Sequence, residues 1–162
     1  MKFLLYIGLI SLFLLNCNEG MSPSEPDRGI TGVSGTVYFT NWPPADSIFD
    51  LRLILFRDFP PTDIQSAILS GQAVVYPAIT DTFQLPLFVD DFPYQIETPA
   101  ATFEYFAVAH QFGTNFLADW RVIGHYDISP QDTLPTALTI TQGTLLKNIN
   151  IYANFDSILF SL

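Results

Sequence analysis

Hydrophobic and polar residues along this chain alternate with a period of two over several short stretches, the pattern of half-buried β-strands. Val33 to Thr40 places Val33, Gly35, Val37 and Phe39 on one side and Ser34, Thr36, Tyr38 and Thr40 on the other. Phe49 to Arg57 is apolar on both sides, with Phe49, Leu51, Leu53 and Leu55 against Ile54 and Phe56, and so reads as a central strand covered on two faces. Thr102 to Gln111 gives the strongest strand pattern, with Phe103, Tyr105, Ala107 and Ala109 facing one way and Phe106 and Val108 the other. Leu117 to Tyr126, Ala137 to Thr141 and Asn148 to Phe155 read as strands, and Tyr94 to Glu97 as a short one. Gly124 marks a bulge or a close backbone approach. Ala73 to Tyr76 and Thr82 to Val89 are β-rich but broken by Pro77 and Pro86, and read as edge strands or an irregular crossing.

One short helix is expected after Pro60-Pro61, with Thr62 and Gln65 spaced as a capping box and Gly71 at its end. Ile64, Ala67 and Ile68 form its apolar side, which covers one end of the sheets, since eight or so residues are not stable as a free helix. Many short strands with one brief helix describe an all-β sandwich.

The first seventeen residues follow a different pattern. Lys2 precedes thirteen mostly apolar residues, Phe3 to Leu15, which are too few for a membrane span and fit a secretion signal. Leu14-Leu15-Asn16-Cys17 resembles the lipobox of bacterial lipoproteins, although Asn16 stands where Gly, Ala or Ser is usual. The resemblance implies cleavage after residue 16, a lipid on Cys17 and attachment to a membrane of the bacterial envelope, on its periplasmic or surface face. An ordinary secretory peptide with a free cysteine is the competing reading. Asn18 to Gly29, rich in Pro, Ser, Gly and acids, reads as the flexible rest of a tether over residues 17–29, and residues 30–162 as the folded domain.

Composition narrows the functional classes. From Cys17 onward the chain keeps five Lys and Arg against sixteen Asp and Glu, and its cations are scattered at Arg28, Arg52, Arg57, Arg121 and Lys147. Nucleic-acid binding, which needs clustered cations, is disfavoured. A single cysteine excludes a disulfide within the chain, so stability rests on a core supplied by fifteen Phe, seven Tyr and two Trp. Arg52 and Arg57 interrupt an apolar run and are expected to reach carboxylates or the rim.

The order of the pieces SGTVYF at Ser34 to Phe39, YQIETPAATFEYFAVA at Tyr94 to Ala109, VIGHYD at Val122 to Asp127 and LTITQGTLLKNINIYANF at Leu138 to Phe155 resembles transthyretin-like, or carboxypeptidase-regulatory-like, domains of exported bacterial proteins. Ala101 replaces the glycine that such domains usually carry before the aromatic at Phe103. The resemblance implies an approximately seven-stranded, antiparallel, prealbumin-like β-sandwich without a catalytic apparatus, used for adhesion, scaffolding or ligand binding.

Candidate chemistry is sparse. The chain carries no G-x-S-x-G, H-E-x-x-H, P-loop or G-x-G-x-x-G motif, and no cofactor is expected. His110 and His125, with Asp119 or Asp127, are a conceivable metal set, but two separately hydrogen-bonded histidines explain them better, and no metal is expected. Asp90-Asp91 with Asp81 and Glu97 reads as a solvated acidic loop before it reads as a calcium site. Trp42, Tyr76, Tyr94, Trp120 and Tyr126 lie in or near loops, and of these Trp42, Trp120, Tyr126 and Tyr94 are the candidate binding aromatics. Core packing is the competing account, and two-sided apolar strands elsewhere favour an inward Trp120. Two functions follow as expectations: a lipid-anchored, non-catalytic module with a protein partner in the envelope, or a lipoprotein that binds carbohydrate through loop aromatics.

Overall fold

A computed structural model describes residues 29–61, 63–129, 134–157 and 159–161. The expected signal segment, Cys17 and residues 18–28 of the tether lie outside the described residues, as do Thr62 of the capping box and Pro130 to Asp132 of one loop.

The fold is an all-β sandwich with one short helix. One sheet is formed by β1 (Gly32–Thr40), flanked by β4 (Asp91–Glu97) and by β10 (Ile151–Asn154), with β9 (Leu145–Leu146) paired to the start of β1. The second sheet runs β11 (Phe160–Ser161), β7 (Trp120–His125), β6 (Tyr105–Gln111), β2 (Asp50–Phe56), β3 (Ala73–Tyr76). A two-stranded ribbon of β5 (Ala101–Phe103) and β8 (Leu138–Ile140) completes it. The described residues hold eleven short strands, against the approximately seven expected. Pairing is antiparallel except at β1, which runs parallel to both β9 and β10.

Alternation explains the layers. The inward residues Val33, Val37 and Phe39 of β1, Tyr94 and Ile96 of β4, and Ile151 and Ala153 of β10 meet Leu51, Leu53 and Leu55 of β2, Phe106 and Val108 of β6, and Ile123 of β7. Residues of opposite phase in the second sheet, among them Ile54, Phe56, Tyr105, Ala107, Ala109, Trp120 and Val122, form a second cluster on its outer face. Strand β2 is therefore covered on both sides, as its two-faced pattern requires, but Phe49 lies outside it and is exposed. The helix α1 (Ile64–Leu69) packs Ile64, Ala67 and Ile68 onto that outer face rather than over a sandwich end. Its N-cap is Asp63, whose carboxylate accepts from the Ser66 amide at 2.6 Å, and this hydrogen bond holds the carboxyl below its usual range.

Three further expectations change. The stretch 102–111 is two strands, because the chain breaks at Glu104 and its amide bonds to the Phe56 carbonyl. The break reverses the phase: Phe103 joins the inner core whereas Tyr105 joins the outer cluster. Of the two readings of residues 82–89, the edge strand is not formed and the irregular crossing is, a loop that returns Leu85 to the core. The pairing of β6 with β7 passes from Val108 opposite Gly124 to Ala109 opposite Val122, so Ile123 is an extra, bulged residue. Gly124 also lies against β10, where a Cβ would stand 2.5 Å from the Tyr152 carbonyl oxygen, so both readings of that glycine hold.

Candidate functional site

The ends of the sandwich differ. Gly29, where the described chain begins, lies at the end that carries Thr31, Thr98 and Gly143, tied together by Thr98 N to Thr31 O (3.1 Å) and Gly143 N to Thr31 Oγ1 (2.7 Å). Strand β1 then spans the domain, nine residues or about 30 Å at the usual rise. At its far end the connection 41–49 meets the β6–β7 hairpin, joined by Phe49 N to Gln111 O (2.9 Å) and by His110 Nε2 to Ser47 O (2.9 Å).

The hairpin loop 112–119 is held by its own hydrogen bonds. Phe112 N donates to Asp119 O at 2.9 Å, Asn115 N to the Asp119 carboxylate at 2.8 Å, Leu117 N to Asn115 Oδ1 at 3.0 Å, and Gln111 Nε2 to Gly113 O at 2.8 Å. A side chain at Gly113 would run into that carboxylate, so only glycine lets the loop close on Asp119. Trp120 Nε1 donates to Phe116 O at 2.8 Å, and Gln65 Nε2 of the helix donates to Leu117 O at 2.9 Å. These bonds occupy the polar backbone atoms and leave Phe112, Phe116 and Leu117 turned outward, with Leu117 64 % exposed. Phe49 and Phe88 are exposed at the same end, Phe88 resting on Trp42 with ring centroids 5.2 Å apart. Several large apolar side chains on hydrogen-bonded loops are the main exposed apolar feature of this end.

His110 and Arg121 support the hairpin from inside. Arg121 Nε donates to His110 Nδ1 at 3.2 Å, which assigns the ring proton to Nε2, the atom that bonds to the Ser47 carbonyl. Burial pushes the His110 pKa down to about 4, the Ser47 hydrogen bond opposes this, and the Arg121 charge adds to it. The Arg121 guanidinium lies over the Phe112 ring, 5.4 Å from its centroid. Arg52 is buried; its Nε holds Asp50 at 2.7 Å and its Nη1 donates to the carbonyls of Pro77 and Ala78, both at 3.0 Å, which meets the expectation of a carboxylate partner. Arg57 lies over the Phe103 ring at 5.5 Å.

The four candidate aromatics do not share a surface. Trp120 is 3 % exposed in the outer-face cluster, and Tyr94, 5 % exposed, donates its hydroxyl proton to the Ile149 carbonyl. Burial, with the nearby Tyr126 second, raises the Tyr94 pKa. Trp42 is half-buried among Phe39, Phe88 and Phe155 and donates from Nε1 to Val89 O at 3.0 Å. Tyr126 is half-buried against the inner core. As a common stacking surface the four are thus corrected: loop position in the sequence did not prevent their rings from filling the core.

Other apolar side chains reach solvent. Phe112 and Phe116 sit in a turn marked by Gly113 and Asn115, where apolar residues have no strand to serve, and that mismatch was the available signal; Leu117, expected to begin a strand, belongs to the same turn, since the strand starts at Trp120 and the Leu117 amide bonds to Asn115 Oδ1. Tyr38 and Tyr152, on the polar phase of their strands, stack on the outer face of the first sheet with centroids 5.1 Å apart, and Tyr152 is 73 % exposed.

Metal-type side chains stay apart. His110 lies at the Ser47 end of β6, whereas His125 lies toward the other end of the hairpin beside Tyr105. Asp91 and Glu97 stand at opposite ends of β4, and Asp81 bonds to the Ala78 amide. Among the described residues no three His, Cys, Asp or Glu side chains converge, and no helix is long and apolar enough to cross a membrane. No protein-family model, curated protein or solved structure matches the chain.

Proposed function

We propose that this chain is a lipid-anchored, non-catalytic module of a bacterial envelope that docks a protein partner through the apolar loops at the end of the sandwich opposite Gly29. The observation that carries the reading is the concentration of Phe49, Phe88, Phe112, Phe116 and Leu117 at that end, on loops rigid enough to present them without a large ordering cost. The anchor rests on Leu14 to Cys17 and the tether after it, which would place the docking end away from the membrane. A non-catalytic role is supported by the use of His110, Asp50 and Arg52 as structural partners of one another and of the backbone.

Two measurements test it. Palmitate labelling and fractionation of the full chain should show label and membrane association that disappear in Cys17→Ala; a soluble, lipid-free wild-type chain rejects the anchor. A photo-cross-linking amino acid at Leu117 should capture a discrete adduct in cells, one not formed from Gln142 at the other end. Equal capture from both positions rejects the docking end.

The stacked Tyr38–Tyr152 pair favours a second reading, carbohydrate binding on the outer face of the first sheet, where Thr36, Thr40 and Asn154 supply hydroxyl and amide groups beside it. Oligosaccharide titration should then quench tyrosine fluorescence in the wild type and not in Tyr152→Ala; binding that survives the substitution removes this reading.

A further inference from the structure

The apolar docking end is bordered by carboxylates. Asp46 precedes Phe49 in the turn Ala45–Ser47, Asp90 and Asp91 follow Phe88 at the start of β4, and Asp156 follows Phe155 next to the end of β10. All four are exposed, and since Asp50–Arg52 is the one ion pair among the described residues, no described cation pairs with these charges. The cation closest to the hairpin loop, Arg121, is turned to His110 and the Phe112 ring. An apolar centre ringed by uncompensated negative charge has a specific complement.

We infer that the occupant of this end is a protein surface with an apolar pocket bordered by lysine or arginine side chains; the inference rests on the docking function proposed above. Convex loops that project Phe112, Phe116 and Leu117 require a concave counterpart, and the surrounding carboxylates set the sign of its border. The same charges disfavour other occupants. Two copies meeting end to end by a twofold axis would bring their own carboxylates together, and an anionic bilayer surface would repel them.

Charge then acts chiefly on encounter, and apolar burial on residence. The basic border accelerates association and makes it salt-sensitive, while Phe116 and Leu117 slow dissociation.

The test is selection of a displayed random-peptide library on the full chain. Two variants accompany it, Phe116→Ser with Leu117→Ser, and Asp46→Asn with Asp90→Asn, Asp91→Asn and Asp156→Asn; all six positions are exposed, and circular dichroism checks that the fold is retained. Enriched peptides are expected to combine Phe, Trp or Leu with Lys or Arg, to bind at least tenfold more weakly to each variant, and to weaken between 50 and 300 mM salt at the wild type but not at the Asp→Asn variant. Peptides that need Phe116 and Leu117 but are acidic or uncharged, or that ignore the Asp→Asn changes, overturn the basic border and leave the docking end standing. Peptides indifferent to Phe116 and Leu117, or no enrichment at all, overturn both.

Discussion

Arg52 and His110 are charged or chargeable side chains inside an apolar structure, and each persists because its polar atoms are matched. Arg52 spends its donors on Asp50 and on two carbonyls of the loop after β3. Arg52→Ala removes the cation and leaves a carboxylate and two carbonyls without their partner, so urea denaturation should show a loss of about 3 kcal/mol. His110 behaves as a neutral side chain whose pKa is depressed from 6.5 to about 4. Between those values the unfolded chain binds the proton and the folded one does not, so stability is intact above pH 6.5 and declines as the pH falls toward 4. His110→Gln should flatten that part of the pH–stability profile, measured by denaturation at intervals from pH 7 to pH 4. Trp120 is the third such residue, an apolar body with one polar atom bonded to Phe116 O. Trp120→Ala is expected to cost about 3 to 5 kcal/mol and to lower the melting temperature sharply, because the ring fills the outer-face cluster.

Strand β2 shows how much of the architecture was legible before any coordinates. Its two-faced run Leu51 to Phe56 predicted cover on both sides, and both clusters indeed meet there. Leu53→Ala should therefore destabilise the domain by about 2 to 5 kcal/mol, read from a denaturant midpoint at unchanged slope. The helix was legible through Ile64, Ala67 and Ile68, but its docking place was not, since an apolar stripe says that a helix is covered and not by what. The division at Glu104 escaped notice because two consecutive strands with aromatic residues look like one long strand unless the phase change at Phe103 is weighed. Parallel pairing of β1 was equally hidden, as periodicity within a strand carries no record of its neighbour's direction. The outward turn of the apolar loop residues was illegible for a related reason. Strand pattern favours an inward Trp120, whereas the outward turn of Phe116 and Leu117 is set by the hydrogen bonds of Asn115, Asp119 and Gln65, of which the pattern carries no record.

The two hydrophobic clusters share the sheet β7–β6–β2–β3, so neither can be lost while the other keeps its supporting strands. Trp42 reports on the inner cluster and Trp120 on the outer one. In single-tryptophan variants, Trp42→Phe and Trp120→Phe, the two fluorescence transitions in urea should coincide once each is referred to its own stability; a clear offset between fluorescence and circular dichroism within one variant would mean that the helix-covered layer melts separately. The parallel partners of β1 bear on a different matter, the order in which a growing chain can become a protein. Strand β1 is made more than a hundred residues before its neighbours on one side, residues 145–146 and 151–154. Until they arrive, one edge of β1 has no strand beside it and the inward faces of Val33 and Val37 lack Ile151 and Ala153. Joining the two costs the closure of a loop of more than a hundred residues, and such closure precedes the contacts that reward it. The sandwich therefore cannot lock until residues 145–154 have been made. Until then the chain stays open, and it becomes resistant to unfolding only once β9 and β10 have joined β1.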